Sequence, residues 1–366
     1  MQAQVLDSTE QKKLEFTSDF RFRIEHDWNG VNTDGTIPDD GSRLRYRYRF
    51  GLNYRLDKNS SFGARLRSGR LDDQQGPHIT LGGNNGEFGL VEIGLEKLYY
   101  QLDIKNLQVW LGKNTLPLKK LNELFWNDNV FPEGIGLKYK IYSSSESRLN
   151  KVAVNAGHFI IQSSGQTFDN DRYARFFQVE LELLKNRLKV FPAFYAFRNV
   201  GNIPDGQETF NLDYSIFHFG TDLELFKKPR FSLGLEYYAN LEDYTNNGSI
   251  AAEFQDQTQG GVLSAKLGKL ESKGDWHFHL YYARLQRFAI VDYFAQNDWV
   301  RWDYSNQGAF GSRITNFQGY EFQIGYLIKK NFNLILRAYV VESLVSLENE
   351  VAERGNRIRL DLNIKF

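Results

Sequence analysis

Between Arg43 and Leu56 the large apolar residues Leu44, Tyr46, Tyr48, Phe50, Leu52, Tyr54 and Leu56 occupy every second position. The residues between them are Arg43, Arg45, Arg47, Arg49, Gly51, Asn53 and Arg55. An extended chain sends successive side chains to opposite faces, so this is a strand with one greasy face and one cationic face. It is longer than an ordinary globular strand. The pattern recurs. Phe20, Phe22 and Ile24 oppose Arg21, Arg23 and Glu25, while Phe62, Ala64 and Leu66 oppose Gly63, Arg65 and Arg67. Phe177, Val179, Leu181 and Leu183 alternate with Phe176, Gln178, Glu180 and Glu182. Tyr320, Phe322, Ile324, Tyr326 and Ile328 form another such face, and Ile358, Leu360, Leu362, Ile364 and Phe366 form the last. Val91, Ile93 and Leu95 are followed by Leu98, Tyr100 and Leu102, a change of phase that predicts a β-bulge. Leu188, Val190 and Phe194 mark a less regular strand.

The whole chain reads as about sixteen strands (roughly fourteen to eighteen) of about ten residues, the length a tilted strand needs to cross a bilayer. Short connections at 57–61, 105–106, 143–150, 184–187, 226–230, 271–275 and 329–331 alternate with long ones at 29–42, 70–88, 113–133, 162–171, 199–212, 241–258, 288–315 and 341–354. That alternation predicts an all-β, antiparallel, up-and-down transmembrane barrel occupying residues 1–366 as one domain. Unpaired backbone groups are intolerable in lipid, so the first strand is expected to pair with the last. Residues 1–13 are expected to form a periplasmic segment at the short-turn side. The final alternating strand ending on Phe366 is similar to the signal read by outer-membrane assembly machinery.

Composition adjusts this picture only at its edges. The 366 residues carry 45 Lys and Arg against 45 Asp and Glu, with 29 Phe and 20 Tyr. No apolar run approaches the ~18 residues of a helical span, which excludes helical crossings and says nothing against a barrel. The absence of Cys excludes disulfides and thiolate metal sites. Balanced charge argues against a nucleic-acid surface. The start, Met-Gln-Ala-Gln, lacks a basic region followed by an apolar one, so a mature chain with its signal peptide removed is expected.

Two groups of residues carry the candidate chemistry. The first three strands run up, down and up, which sets Arg21, Arg23, Arg45, Arg47, Arg49, Arg65 and Arg67 at similar heights on neighbouring strands. Arg337 and Arg359 extend the same wall. Guanidinium groups remain charged, so the wall needs water, carboxylates or anionic solutes. It either pairs with lumen acids such as Glu25, Glu92, Glu96 and Asp361, or lines a water-filled pore and draws in anions; the two are compatible. The second group lies in the aromatic and acidic connection at 113–133. Glu123, Trp126, Asp128 and Glu133 either belong to an inward-folded constriction facing the arginines, or to a loop on the rim with Trp126 as an interfacial anchor.

Weaker signals are His277 and His279 on one strand face, read as plain lumen histidines rather than half a metal site. Trp299, Trp302 and Tyr304 cluster beside Asp298, Arg301 and Asp303, read as loop self-packing rather than a sugar platform. Asp34, Asp39 and Asp40 lack calcium-loop spacing. No hydrolase elbow, phosphate loop or zinc-helix motif is present. Neither a metal nor another cofactor is expected.

Gly112-Lys113 with Pro117, then Phe125-Trp126, Asp128 and Pro132-Glu133-Gly134 entering a strand, resembles the putative porin family of Bacteroidota outer membranes. The basic strand pair at 43–68 with its tight polar turn resembles it too. The resemblance implies an outer-membrane porin. The expected function is passive diffusion of small hydrophilic solutes with an anion preference. The alternatives are a channel specific for oligosaccharide or phosphate, and a closed barrel acting as a structural part of an envelope complex. The expected partners are the lipid bilayer, lipopolysaccharide, passing solutes and, during biogenesis, the barrel-assembly machinery. A monomer and a trimer both remain open.

Overall fold

The computed structural model describes residues 13–83, 88–165, 170–201, 210–299 and 315–366. Most of the 1–13 segment, and Arg301, Trp302, Asp303 and Tyr304, lie outside them.

The described residues form one closed antiparallel sheet. Its strands are β1 (Leu14–Val31), β2 (Gly41–Arg55), β3 (Ser60–Ser68), β4 (Ile93–Ile104), β5 (Leu107–Lys113), β6 (Glu133–Ser143), β7 (Leu149–Gln162) and β8 (Arg172–Leu183). β9 follows in two pieces, Leu188–Val190 and Ala193–Gly201. Then come β10 (Asn211–Lys227), β11 (Arg230–Asn240), β12 (Gln259–Gly268), β13 (Trp276–Leu285), β14 (Phe317–Lys329), β15 (Phe332–Ser343) and β16 (Arg354–Lys365). A two-residue piece, Ile79–Thr80, also pairs with β2. Each strand pairs with its sequence neighbour, and β1 pairs with β16 from Asp19↔Lys365 through Val31↔Arg354. Closure leaves no edge for lipid to meet. The barrel thus has sixteen crossings, and its short and long connections alternate as expected.

The outer surface is apolar. Leu66, Leu98, Ile135, Phe177, Leu263 and Phe322 are all exposed, whereas Arg47, Arg49, Gln178, Glu236, Gln323 and Arg359 on the opposite strand faces are buried. This inversion of a globular protein is what a lipid solvent demands.

Two irregularities follow from particular residues. Pro192 has no N–H to give the ladder, and β9 breaks there. Phe191 turns its ring inward over Gly220, where a Cβ would stand 2.0 Å from the ring. In β4, Arg65 opposes Lys97 while Leu66 opposes Leu95, so Glu96 is the extra residue of a bulge. The bulge lets Leu95 and Leu98 both face lipid and aims Glu96 into the lumen, where it is 4% exposed.

Candidate functional site

The cationic faces of β16, β1, β2 and β3 adjoin on the lumen wall. Register sets like charges directly opposite each other: Arg21↔Arg47, Arg23↔Arg45 and Arg49↔Arg67. Such pairs repel. Carboxylates threaded between them offset the repulsion. Arg23 grips Asp361 with a fork, Nε to Oδ1 at 2.6 Å and Nη2 to Oδ2 at 3.2 Å. Arg21 donates to Asn363 Oδ1 at 2.6 Å, with Asp361 at 3.7 Å. Glu25 is fully buried beneath Arg43 (2.6 Å), Arg357 (3.5 Å), Arg23 (3.6 Å) and Arg45 (3.7 Å). Arg47 pairs with Asp19. Glu96, presented by its bulge, takes Arg49 at 2.5 Å, Arg65 at 2.7 Å and Arg67 at 4.0 Å. Charge-assisted forks of this kind are strong because both partners are ionised and fixed.

Two long connections fold into the barrel against the opposite wall. In the connection between β5 and β6, Lys119 N donates to Gln178 Oε1 of β8 at 2.8 Å and Leu121 N to Glu236 Oε1 of β11 at 3.1 Å. Phe125 packs on Tyr195, Phe197 and Tyr238, and Trp126 stacks on Phe294 at 4.5 Å. Phe294 belongs to the connection between β13 and β14, joined to the first loop by a β-bridge between Phe125 and Ala295 and by Asn127 N to Phe294 O at 2.9 Å. Aromatic rings therefore fill the β9–β11 side of the lumen.

What remains is a cavity of about 870 Å³ along the arginine wall. It is bordered by Asp39 and Asp40 at the long-loop end and by Asp19 and Lys365 towards the short-turn end. Glu123, Asp128 and Asp298 also line it, brought there by the two inward loops. A second cavity, about 330 Å³, is lined by His279, Glu321, Gln323 and Arg337 and shares Glu123 and Asp128 with the first.

Most of the residues read from the sequence meet at these cavities. Arg21, Arg23, Arg45, Arg47, Arg49, Arg65 and Arg359 line the larger one, as do Glu123 and Asp128. Arg67 instead holds a loop, donating to Arg70 O (2.9 Å) and Asp73 O (2.6 Å). Arg337 lines the smaller cavity, 3.6 Å from Glu321. Two expectations need correction, and one of two open readings falls. Glu133 is no constriction residue: it is the first residue of β6, shares the outward face of Ile135, and pairs at the rim with Lys113 at 2.6 Å. Trp126 is not an interfacial anchor, since it is buried inside and its Nε1 donates to Val130 O at 2.8 Å. Glu92 is exposed in the connection before β4 and joins no arginine of the wall by a described ion pair.

Sequence reasoning missed Asp19, Asp27, Arg43, Arg357 and the inward position of Asp298, which pairs with Arg359 and stands 3.4 Å from Arg357. Arg43 and Asp19 sit on the lumen parity of β2 and β1, so their signal was present. Asp298 had none. His277 and His279 stack at 4.3 Å and share Gln323. Among the described residues no cluster of three metal-ligating side chains occurs.

The fold is similar to that of solved porins. OprB of Pseudomonas putida matches with a TM-score of 0.60 at 13% identity, covering 97% of this chain and 94% of that one. OmpF of Salmonella typhi matches with 0.56 at 11% identity, covering 96% and 97%. A variant of the Rh. blastica porin matches with 0.54 at 9% identity, covering 96% and 100%. No curated protein matches by sequence. The sequence profile described as putative porin matches residues 30–215. That stretch runs from the end of β1 into β10 and includes the arginine-bearing β2 and β3, the Glu96 bulge and the inward loop, and on it the chain belongs to the putative porin family.

Proposed function

We propose that this barrel is a passive diffusion pore of a bacterial outer membrane, admitting small hydrophilic solutes with a modest preference for anions. The observation that carries the reading is the cavity with opposed charged walls, arginines of β1–β3 and β16 on one side, Glu123 and Asp128 on the other. Opposed charges set a transverse field across the passage, which orients dipolar solutes and separates the paths of cations and anions. The preference is modest because the charges nearly cancel. Twelve Lys and Arg and eight Asp and Glu border the cavity. Glu25, Glu96 and Asp361 lie under the arginines, which reduces the positive excess from four to one.

The lipid bilayer would cover the apolar outer face, and lipopolysaccharide and the barrel-assembly machinery are the partners that such a barrel would meet. No step of this transport needs a catalytic residue. The test is purified protein in planar bilayers under a KCl gradient. Ohmic conductance with a small reversal potential of the anion-selective sign is expected. Cation selectivity overturns the charge argument. Silent bilayers overturn the pore and favour a closed, structural barrel.

A further inference from the structure

We infer that the lumen wall holds a binding subsite for a small divalent oxyanion, centred on Arg45, Arg47 and His78; the inference rests on reading the barrel as a pore. The connection after β3 doubles back at Gly69, whose φ of +99° and contact with Gly76 O leave no room for a Cβ. It then adds Ile79–Thr80 to β2, pairing Thr80 with Arg45 and Ile79 with Tyr46. Ser68 Oγ donates to Pro77 O at 3.1 Å and locks the return. His78 is thereby set against the arginine wall, its carbonyl accepting from Arg45 Nη2 at 3.4 Å.

Three nitrogens at this place are buried without a hydrogen-bond partner among the described residues: Arg45 Nε, Arg47 Nε and His78 Nε2. A buried polar nitrogen left unpaired is costly, and the two Nε–H groups with the imidazole nitrogen beside them point to a partner that the described residues do not supply. The leading charges acting on the His78 ring are the guanidinium groups of Arg23, Arg21, Arg47 and Arg45. Arg45 is the least committed of these. Among the described residues its one carboxylate contact is Glu25 at 3.7 Å, which three other arginines share.

The local charge balance sets the valence. On the β16–β1–β2 wall, with Arg49 set apart beside Glu96, Arg21, Arg23, Arg43, Arg45, Arg47, Arg357 and Arg359 bond among the described residues to five carboxylates, Asp19, Glu25, Asp27, Asp298 and Asp361. The excess of two matches a dianion. Guanidinium forks and an imidazole N–H suit the oxygens of a phosphate or of paired carboxylates, not a bare halide. The subsite would hold such a group briefly and pass it on along the wall.

The test uses single-channel chloride current through the wild-type barrel. Inorganic phosphate, at a pH where it is the dianion, or succinate is added to one side. A saturable, flickering block is expected. Block by phosphate alone assigns a phosphate site, and block by succinate alone assigns a dicarboxylate site. Arg45→Gln and His78→Asn are each expected to raise the blocking concentration about tenfold, the effect of losing one charge-assisted contact. Arg70→Gln, at an exposed pair with Asp72, leaves it unchanged. An open channel that neither anion blocks overturns the subsite and leaves the pore standing. If the barrel does not conduct, the pore reading fails instead, and calorimetry of phosphate and succinate binding to wild type and Arg45→Gln in detergent decides the subsite alone: no heat with either overturns it.

Discussion

Replacing Glu96 with Gln removes the carboxylate that joins three arginines on two strands. Arg49 and Arg65 stand 2.5 and 2.7 Å from it and Arg67 stands 4.0 Å away. Two unit charges about 4 Å apart attract by about 4 kcal/mol at an effective dielectric of ~20. The mutual repulsion of the arginines survives the substitution, and the Gln amide turns an N–H toward a guanidinium N–H. Removing one partner from a buried ion pair generally costs about 3–5 kcal/mol. Water in the adjoining cavity lowers that, and a loss of about 3 kcal/mol is expected for this site. Denaturant unfolding in lipid vesicles, followed by tryptophan fluorescence, measures it. The same change raises the positive excess of the wall by one, so the reversal potential moves further toward anion selectivity. An unchanged midpoint together with an unchanged reversal potential would refute the claim that Glu96 neutralises the wall.

Other substitutions probe the rest of the design. Asp128→Asn is expected to increase anion preference in bilayers while costing under about 0.5 kcal/mol, because its pair with Lys120 is solvent-exposed. Phe125→Ala removes a 1% exposed ring from among Tyr195, Phe197 and Tyr238, so about 3–5 kcal/mol of stability is lost and conductance rises as the loop loosens. Leu263→Lys, on the lipid face of β12, costs about 2–4 kcal/mol in vesicle unfolding, whereas Gln323→Lys, on the lumen face, alters selectivity more than stability.

The strands and their two faces were legible because a period of two is a local property of each segment. Even the Glu96 bulge could be read, since Leu95 and Leu98 both needed the lipid side. Parity would also have corrected Glu133, two residues before the outward Ile135. The partners inside the lumen were not legible to the same degree. Asp298 meets Arg359 across 61 positions of sequence, through a loop whose path is decided by aromatic packing on a distant wall. Alternation carries no information about where such a loop will rest. His78 was missed for the same reason: its place depends on two residues of connection adding themselves to β2.

The seam between β1 and β16 has a consequence for the order of assembly. Arg21 meets Asn363 across 342 positions and Arg23 meets Asp361 across 338. Closing so large a loop is entropically slow, and these contacts form only after both ends of the chain have arrived. Arg21 and Arg23 therefore lack Asn363 and Asp361 until the final zipping event, whereas Glu25, Asp19 and Glu96 already serve the arginines of β2 and β3. Until then, the guanidinium groups of Arg21 and Arg23 stand at the open edge of β1 without the carboxylate of Asp361. The residues that shape the finished passage are thus also the latch that completes it, and a half-built barrel carries a different electrostatic identity from a closed one.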